Sequence, residues 1–141
     1  MYQCETLHAT IARNELAPLA SSATTREVGE WGENVAAAYV REHGYHVLAQ
    51  NWRCRCGEID LVCREEPSGA LVAVEVKTRR GRNTVPAPLA VSTEKYRRLR
   101  HLLAQWLHVE GGSYPALAVD IVAVNVPTSG PVTIDHLRNA S

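Results

Sequence analysis

Three charged residues interrupt two otherwise apolar segments of the sequence. Asp60 lies in the segment Glu58 to Arg64, and Glu75 and Lys77 lie in the Val-rich segment Ala70 to Thr78. Both segments are predicted to be strands, whose successive side chains point to opposite faces of a sheet. An unpaired buried charge costs several kcal/mol, so we expect the structure to hold Asp60, Glu75 and Lys77 together.

The same alternation predicts which residues share a face. In the earlier strand, Glu58, Asp60 and Val62 are expected on one face, and Ile59, Leu61 and Cys63 on the other. In the later strand, Glu75 and Lys77 are expected on one face, and Val72, Val74 and Val76 on the opposite one. Each strand would therefore carry charge in the middle of an apolar sheet.

Paired carboxylates in such a sheet favour a bound metal ion. Two carboxylates about 4 Å apart repel each other by roughly 4 kcal/mol at an effective dielectric constant of about 20. A divalent cation removes that repulsion, and hard oxygen ligands suit Mg²⁺ or Mn²⁺. The alternative is an ion pair of Lys77 with Glu75 or with Asp60 at a sheet edge.

The choice of lysine at position 77 favours a chemical role. The chain has fifteen basic residues, and only Lys77 and Lys95 among them are lysines. Arginine serves a generic ion pair better than lysine does. A compact ammonium whose pKa can move suits a group that orients or deprotonates a water molecule.

Most of the positive charge lies in one stretch, although the net charge of the chain is zero. Eight of the fifteen basic residues fall between positions 77 and 100, where Glu94 is the only acidic residue. They are Lys77, Arg79, Arg80, Arg82, Lys95, Arg97, Arg98 and Arg100. The zero net charge argues against a uniformly basic coat, but this stretch predicts one strongly positive face.

The four cysteines, Cys4, Cys54, Cys56 and Cys63, do not follow a standard zinc-binding pattern. One residue separates Cys54 from Cys56, which is tight for a zinc knuckle, and no second Cys pair follows. We expect reduced thiols in a cytoplasmic protein, partly buried as small apolar residues. A thiol or zinc protein built on Cys54, Cys56 and Cys63 is the weakest alternative for function.

The hydrophobic periodicity predicts one α/β domain over residues 26–136. Residues 1–25 are predicted to be a poorly ordered leader, and residues 137–141 a tail. One helix is predicted from Arg26 to Gly44 with Thr25 as its N-cap, and another from its N-cap Ser92 to about Val109. Strands are predicted over 45–52, 58–64, 70–78 and 117–126, with a short fifth over 132–135. The strand–helix–strand connection makes 117–126 parallel to 70–78.

Neither a membrane segment nor a secretory signal is expected. No segment approaches the roughly 20 apolar residues that a membrane-spanning helix needs. The first 25 residues also lack a basic head followed by an apolar block. These features predict a cytoplasmic protein without a membrane partner.

Five short motifs resemble the bacterial YraN family. They are Gly32-Glu33-Asn34-Val35-Ala36-Ala37, Gly44-Tyr45-His46-Val47-Leu48, Asn51-Trp52-Arg53-Cys54, Gly57-Glu58-Ile59-Asp60-Leu61-Val62 and Val74-Glu75-Val76-Lys77-Thr78-Arg79. That family is similar to the archaeal Holliday junction resolvases and belongs with the PD-(D/E)XK nucleases. The resemblance implies a restriction-endonuclease-like fold, in which helices flank a central mixed β-sheet of four to five strands.

The resemblance also implies which residues are catalytic and bind metal. Asp60 matches the core acidic residue of the family pattern, and Glu75 and Lys77 match its Glu-x-Lys. Glu33 matches the helix glutamate that reaches the metal in resolvase-like members, and Glu30 is its rival on the same side. Position 59 has isoleucine where the superfamily name has proline, a departure that is common in the superfamily.

Further residues would contact the nucleic acid. Lys95 resembles the polar residue that some members place near the scissile phosphate. The residues expected to hold flanking phosphates, without sequence preference, are Arg79, Arg80, Arg82, Arg97, Arg98 and Arg100.

These observations predict a metal-dependent endonuclease that acts on structured or branched DNA, with Mg²⁺ or Mn²⁺ held by Asp60, Glu75 and Glu33. A homodimer is expected if the substrate is a two-fold junction, because cutting both sides needs two active sites. The alternative is a module of the same fold that binds DNA, or a recombination or DNA-uptake protein, with little turnover.

Overall fold

The computed structural model of the chain describes residues 2–81 and 89–140. The helices are α1 (Thr25–Glu42) and α2 (Thr93–Glu110), and a short 3-10 helix covers Arg13–Glu15. The strands are β1 (Glu5–Ile11), β2 (Tyr45–Cys54), β3 (Gly57–Glu65), β4 (Leu71–Arg80), β5 (Leu117–Val126) and β6 (Val132–Arg138). The predicted phosphate contact Arg82 lies outside the described residues.

The strands form one mixed sheet in the order β1-β6-β5-β4-β3-β2. β2, β3 and β4 form an antiparallel meander, and β4 pairs with β5 in parallel across the connection that contains α2. The predicted mixed α/β architecture and the parallel pair are therefore confirmed. The sheet has six strands rather than four to five, because β1 lies among residues predicted to be a leader.

The N-terminal segment corrects the prediction of a poorly ordered leader. β1 pairs antiparallel with β6 from Glu5↔Arg138 to Ile11↔Val132. The pairing also draws residues 137 and 138, predicted to belong to a tail, into β6. Because this pairing joins opposite ends of the chain, local sequence patterns did not predict it.

A capping box marks the start of α1. Thr24 accepts a hydrogen bond from the Glu27 amide at 3.2 Å, and the Glu27 carboxylate accepts one from the Thr24 amide at 3.0 Å. This capping box satisfies two amides that the first turn would otherwise leave unpaired. The N-cap is thus Thr24, one residue before the predicted Thr25.

The two helices cover opposite faces of the sheet. The buried residues of α1, including Val35, Tyr39 and Val40, pack with one set of strand residues. Those of α2, namely Leu99, Leu102, Leu103 and Trp106, pack with a second set. α2 starts at the predicted N-cap Ser92, whose hydroxyl accepts from the Lys95 amide at 3.1 Å. No helix in residues 2–81 and 89–140 is both long and apolar enough to span a bilayer.

Candidate active site

Asp60 lies where β3 separates from β4. The pairing of these strands runs from Arg64↔Leu71 to Leu61↔Val74 and stops there. Beyond that point the Val76 amide donates to Asp60 Oδ2 at 2.8 Å, so a side chain replaces the missing strand partner. The separation opens the sheet at its centre and leaves one carboxylate in the gap.

The separation also breaks the predicted alternation of faces in β3. Ile59 is fully buried with Val62 beneath α2, whereas Leu61 and Cys63 pack beneath α1. The expectation that Ile59 shares a face with Leu61 and Cys63 is therefore wrong. In β4 the expectation holds, since Val72, Val74 and Val76 pack on the α1 side and Glu75 reaches α2.

α1 brings Glu33 to Asp60. Their carboxyl groups lie close enough that, after burial, the charge of Glu33 raises the pKa of Asp60. Gly32 allows this approach, because a Cβ atom there would collide with the Thr78 side chain on β4. The rival Glu30 is exposed and bonds Arg26 at 3.2 Å. The structure thus places Glu33, and not Glu30, against the core acidic residue.

Asn51 also contacts Glu33, and the sequence reasoning assigned it no role. Burial raises the pKa of Glu33, and the nearby Asn51 side chain opposes that effect. Asn51 has a left-handed backbone with φ of 50°, a conformation in which asparagine is enriched. The signal available in the sequence was therefore a turn-forming residue within a segment predicted to be a strand.

Glu75 extends to the opposite face of the sheet and pairs with α2. Lys95 Nζ lies 3.4 Å from Glu75 Oε1. Lys77 Nζ instead donates to the Ala90 carbonyl at 3.5 Å and forms no ion pair within the described residues. The alternative of a Lys77 ion pair with Glu75 or Asp60 is therefore wrong, because Lys95 takes that position.

Burial is the main cause that raises the pKa of all three carboxyl groups at this site. Burial, followed by the charge of Glu33, raises the pKa of Asp60 to about 6, against the lowering effect of the Val76 amide. Burial raises the pKa of Glu33. Burial and the charge of Asp60 raise the pKa of Glu75, against the lowering effect of Lys95. A cation bound between them would relieve the repulsion that remains.

The donor set fits a hard divalent cation with few protein ligands. Within residues 2–81 and 89–140, no three His, Cys, Asp or Glu side chains are arranged to hold one metal ion together. Mg²⁺, however, usually binds through one or two carboxylates and completes its shell with water and substrate phosphates. Asp60, with Glu33 on one side and Glu75 on the other, meets that requirement.

Two surface clefts give access to the carboxylates from opposite faces. A cleft of about 220 Å³ on the α2 side is lined by Cys56, Glu75, Lys95 and Arg98, with Gly57, Glu58 and Leu99. A cleft of about 340 Å³ on the α1 side is lined by Glu33, Thr78 and Arg80, with Thr25, Val28, Gly29 and Val76. The first cleft combines two carboxylates, Glu58 and Glu75, with two cations, Lys95 and Arg98.

The basic residues fall into two groups. Arg79, Arg97 and Arg98 are exposed, and Arg98 lines the cleft beside Glu75. Arg80 donates to the carbonyls of Ala20 and Ala23 at 3.0 and 2.8 Å, and Arg100 donates to the Leu117 carbonyl at 3.1 Å. The guanidinium groups of Arg80 and Arg100 therefore already bind the protein backbone.

The cysteines do not gather into one site. Cys63 is fully buried on the α1 side, whereas Cys54 packs against the cluster on the α2 side. Cys56 is exposed in the turn before β3. The sheet separates Cys63 from the other two, so the hypothesis of a zinc site on Cys54, Cys56 and Cys63 is wrong.

Comparison with known proteins places these motifs in a family. The family model described as "Uncharacterised protein family UPF0102" matches residues 32–124, which include Glu33, Asp60, Glu75 and Lys95. A UPF0102 protein of Kineococcus radiotolerans is 45% identical over 81% of this chain and 93% of its own length. A UPF0102 protein of Mycolicibacterium smegmatis is 40% identical over 83% of this chain and 94% of its own length. A UPF0102 protein of Streptomyces griseus is 43% identical over 81% of this chain and 95% of its own length. The range that the family model matches and the identity of these relatives both show that the chain belongs to the UPF0102 family.

Proposed function

We propose that this protein is a metal-dependent endonuclease with a restriction-endonuclease-like fold that hydrolyses phosphodiester bonds in structured or branched DNA. One observation carries the proposal: Glu33 and Glu75 converge from opposite faces on Asp60, where β3 leaves β4. A polar gap of this kind in the centre of a sheet costs stability, and a catalytic site accounts for that cost.

Mg²⁺ or Mn²⁺ would be held by Asp60 with one neighbouring carboxylate, Glu75 or Glu33, and otherwise by water and substrate phosphate, because no three acidic side chains in residues 2–81 and 89–140 surround one position. The bound ion would lower the pKa of an attacking water and stabilise the charge that develops on the phosphate. Lys77, beside Glu75 on β4, would orient that water. Lys95 and Arg98 in the α2-side cleft would receive the scissile phosphate and its neighbour.

The proposed substrate class rests on the resemblance to junction resolvases and on the exposed arginines. Arg79 lies at the end of β4, Arg97 and Arg98 lie near the start of α2, and Arg98 lines the cleft beside Glu75. Contacts from such residues to phosphates give affinity without sequence preference. Recombination or DNA-uptake proteins would be the natural partners of this activity in the cytoplasm.

The deciding experiment measures cleavage of labelled linear, flap and four-way DNA by the full chain, with Mn²⁺ and with a chelator. We expect Mn²⁺-dependent cleavage that falls at least 10²-fold in Asp60→Asn and Glu75→Gln, as removal of a major electrostatic group does. Glu33→Gln should also lose activity. Glu30→Gln, on the same helix but paired with Arg26, is the matched control and should cleave normally.

The second candidate is a module that binds DNA or a protein partner with little turnover. It is favoured by the lack of a three-ligand group among the described residues. Lys77→Arg separates the candidates, because arginine keeps the charge but cannot give up its proton near neutral pH. A nuclease should lose about 10²–10⁴ in single-turnover rate with unchanged DNA affinity. Absence of cleavage in the unmodified protein, with tight DNA binding, would establish the second candidate instead.

A further inference from the structure

The two edges of the sheet differ in their protection against further strand pairing. β2, at one edge, has a register shift between Val47 and Ala49 and a left-handed backbone at Asn51. β1, at the other edge, pairs with β6 residue for residue from Glu5 to Ile11 without a shift. Bulges, prolines and lysines are the devices by which proteins blunt an edge strand, and β1 has none of them.

β1 is also held rigidly in place. The Tyr2 hydroxyl, just before it, donates to Asp120 Oδ2 at 2.5 Å, and Arg13 Nε, just after it, donates to the Gly130 carbonyl at 2.6 Å. In its middle, His8 Nδ1 lies 2.5 Å from Asp135 Oδ1, which holds the ring over the neighbouring strand β6. Among the described residues, β6 is the only strand that pairs with β1. Its outer edge is therefore a fixed template for another strand.

The sequence of β1 is complementary to itself. If two copies run antiparallel about a two-fold axis at His8, Thr6 of one faces Thr10 of the other, and Leu7 faces Ala9. Residues directly opposite each other point to the same face, so Leu7 and Ala9 continue one row across the axis, and Thr6, His8 and Thr10 continue the other. Glu5, the only Asp, Glu, Lys or Arg in β1, lies opposite Ile11, and His8 lies opposite its own copy, so the carboxylates of the two copies do not meet.

We propose that two copies of this chain pair through β1, antiparallel, to form one continuous sheet. The contact is isologous, as expected for a two-fold dimer, because the same strand serves both copies. Both β1 and β6 lie outside the residues 32–124 that the family model matches. The dimer does not depend on the proposed nuclease activity.

The test is the solution mass of the full chain, measured by sedimentation without DNA or metal. Two double variants change the same exposed positions. T6K/T10K places lysine opposite lysine across the axis, whereas T6E/T10K places glutamate opposite lysine. S21K/S22K adds the same charge as the first variant at exposed positions away from β1, and circular dichroism checks that all variants fold.

We expect the unmodified protein, T6E/T10K and S21K/S22K to reach twice the monomer mass of 15.5 kDa. A contact of one strand pair is small, so the experiment covers concentrations from about 5 to 200 µM. The dissociation constant of the T6K/T10K dimer should be at least tenfold higher than those of the other proteins. A monomeric unmodified protein would overturn the proposal and leave the edge to a strand of another protein. A dimer that T6K/T10K does not weaken would also overturn it, because the contact would lie elsewhere.

Discussion

The carboxylate of Asp120 and the carboxylates around Asp60 differ in how deeply they are buried and in how fully their oxygens are satisfied. Asp120 on β5 is completely buried, and its Oδ2 accepts from the Tyr45 hydroxyl and bonds His136 Nε2, both at 2.7 Å. Its Oδ1 accepts from the Asn139 amide at 2.9 Å. Asp60 accepts one backbone amide and otherwise faces Glu33 and Glu75.

The surroundings of Asp120 form a structural cluster that draws distant parts of the chain together. Tyr2 comes from the N-terminal segment, Tyr45 from β2 and His136 from β6. Burial and the Asp120 carboxylate raise the pKa of Tyr2 and Tyr45, so both remain protonated donors. Every buried side-chain nitrogen and oxygen in the described residues has a partner.

The carboxylates around Asp60 instead repel one another and are only partly buried. Such an arrangement lowers the stability of the folded state unless a ligand compensates for it. The comparison teaches that burial of a carboxylate does not by itself mark a functional site. What distinguishes the candidate site is that other carboxyl groups, rather than several hydrogen-bond donors, surround Asp60.

The largest expected effect is on stability at the satisfied cluster. Asp120→Ala should lower the free energy of unfolding by about 3–5 kcal/mol, because it leaves Tyr2, Tyr45, His136 and the Asn139 amide without their acceptor. Urea denaturation at neutral pH measures the change. A loss below about 1 kcal/mol would mean that the cluster contributes little beyond packing.

At the candidate site, removal of a carboxylate is expected to raise the free energy of unfolding rather than lower it. Asp60→Asn should raise the free energy of unfolding by about 1–3 kcal/mol at pH 8 without metal, because it removes a carboxylate whose folded-state pKa is about 6. Asparagine can still accept from the Val76 amide.

The pH dependence of that difference checks its cause. The pKa of Asp60 is higher in the folded than in the unfolded state, so the unmodified protein is most stable relative to the variant below about pH 4. This relative stability should be lost as the pH rises through about 6. A difference between the two proteins that does not vary with pH would contradict the assignment.

A divalent cation should offset the loss of stability that the carboxylates around Asp60 cause. At pH 7.5, Mn²⁺ at ten times its Kd should stabilise the unmodified protein by about 1.4 kcal/mol, seen as a higher Tm. The effect should shrink at pH 5, where Asp60 is largely protonated, and vanish in Asp60→Asn. Glu30→Gln should respond as the unmodified protein does. Equal stabilisation of Asp60→Asn would show that the ion binds elsewhere.

The smallest effect is expected from the ion pair of Lys95 with Glu75. Lys95→Met removes the cation beside Glu75, but the Lys95 side chain is 36% exposed. Solvent screening keeps such pairs weak, so the loss of stability should stay below about 1 kcal/mol. A loss as large as that of Asp120→Ala would show that the site is structurally essential.

The sequence by itself determined the features that depend on local order. Period-two alternation in β4 fixed the common face of Glu75 and Lys77, opposite the valines. The strand–helix–strand connection predicted that β5 is parallel to β4, because a helix between the strands returns the chain to the starting end of the sheet. Ser92 was identifiable as an N-cap because its hydroxyl bonds an amide only three residues away.

Only the tertiary structure decided the features that depend on pairing across the chain. β1 forms because β6 supplies its partner. His8 and Asp135, which meet there, are 127 positions apart in the sequence, so no local pattern predicts the pairing. The departure of β3 from β4 set the orientation of Asp60 and moved Ile59 to the other face. The choice of Lys95 over Lys77 for Glu75 followed from the packing of α2. Periodicity and capping act within a few residues, whereas register and ion-pair choice depend on which distant surfaces meet.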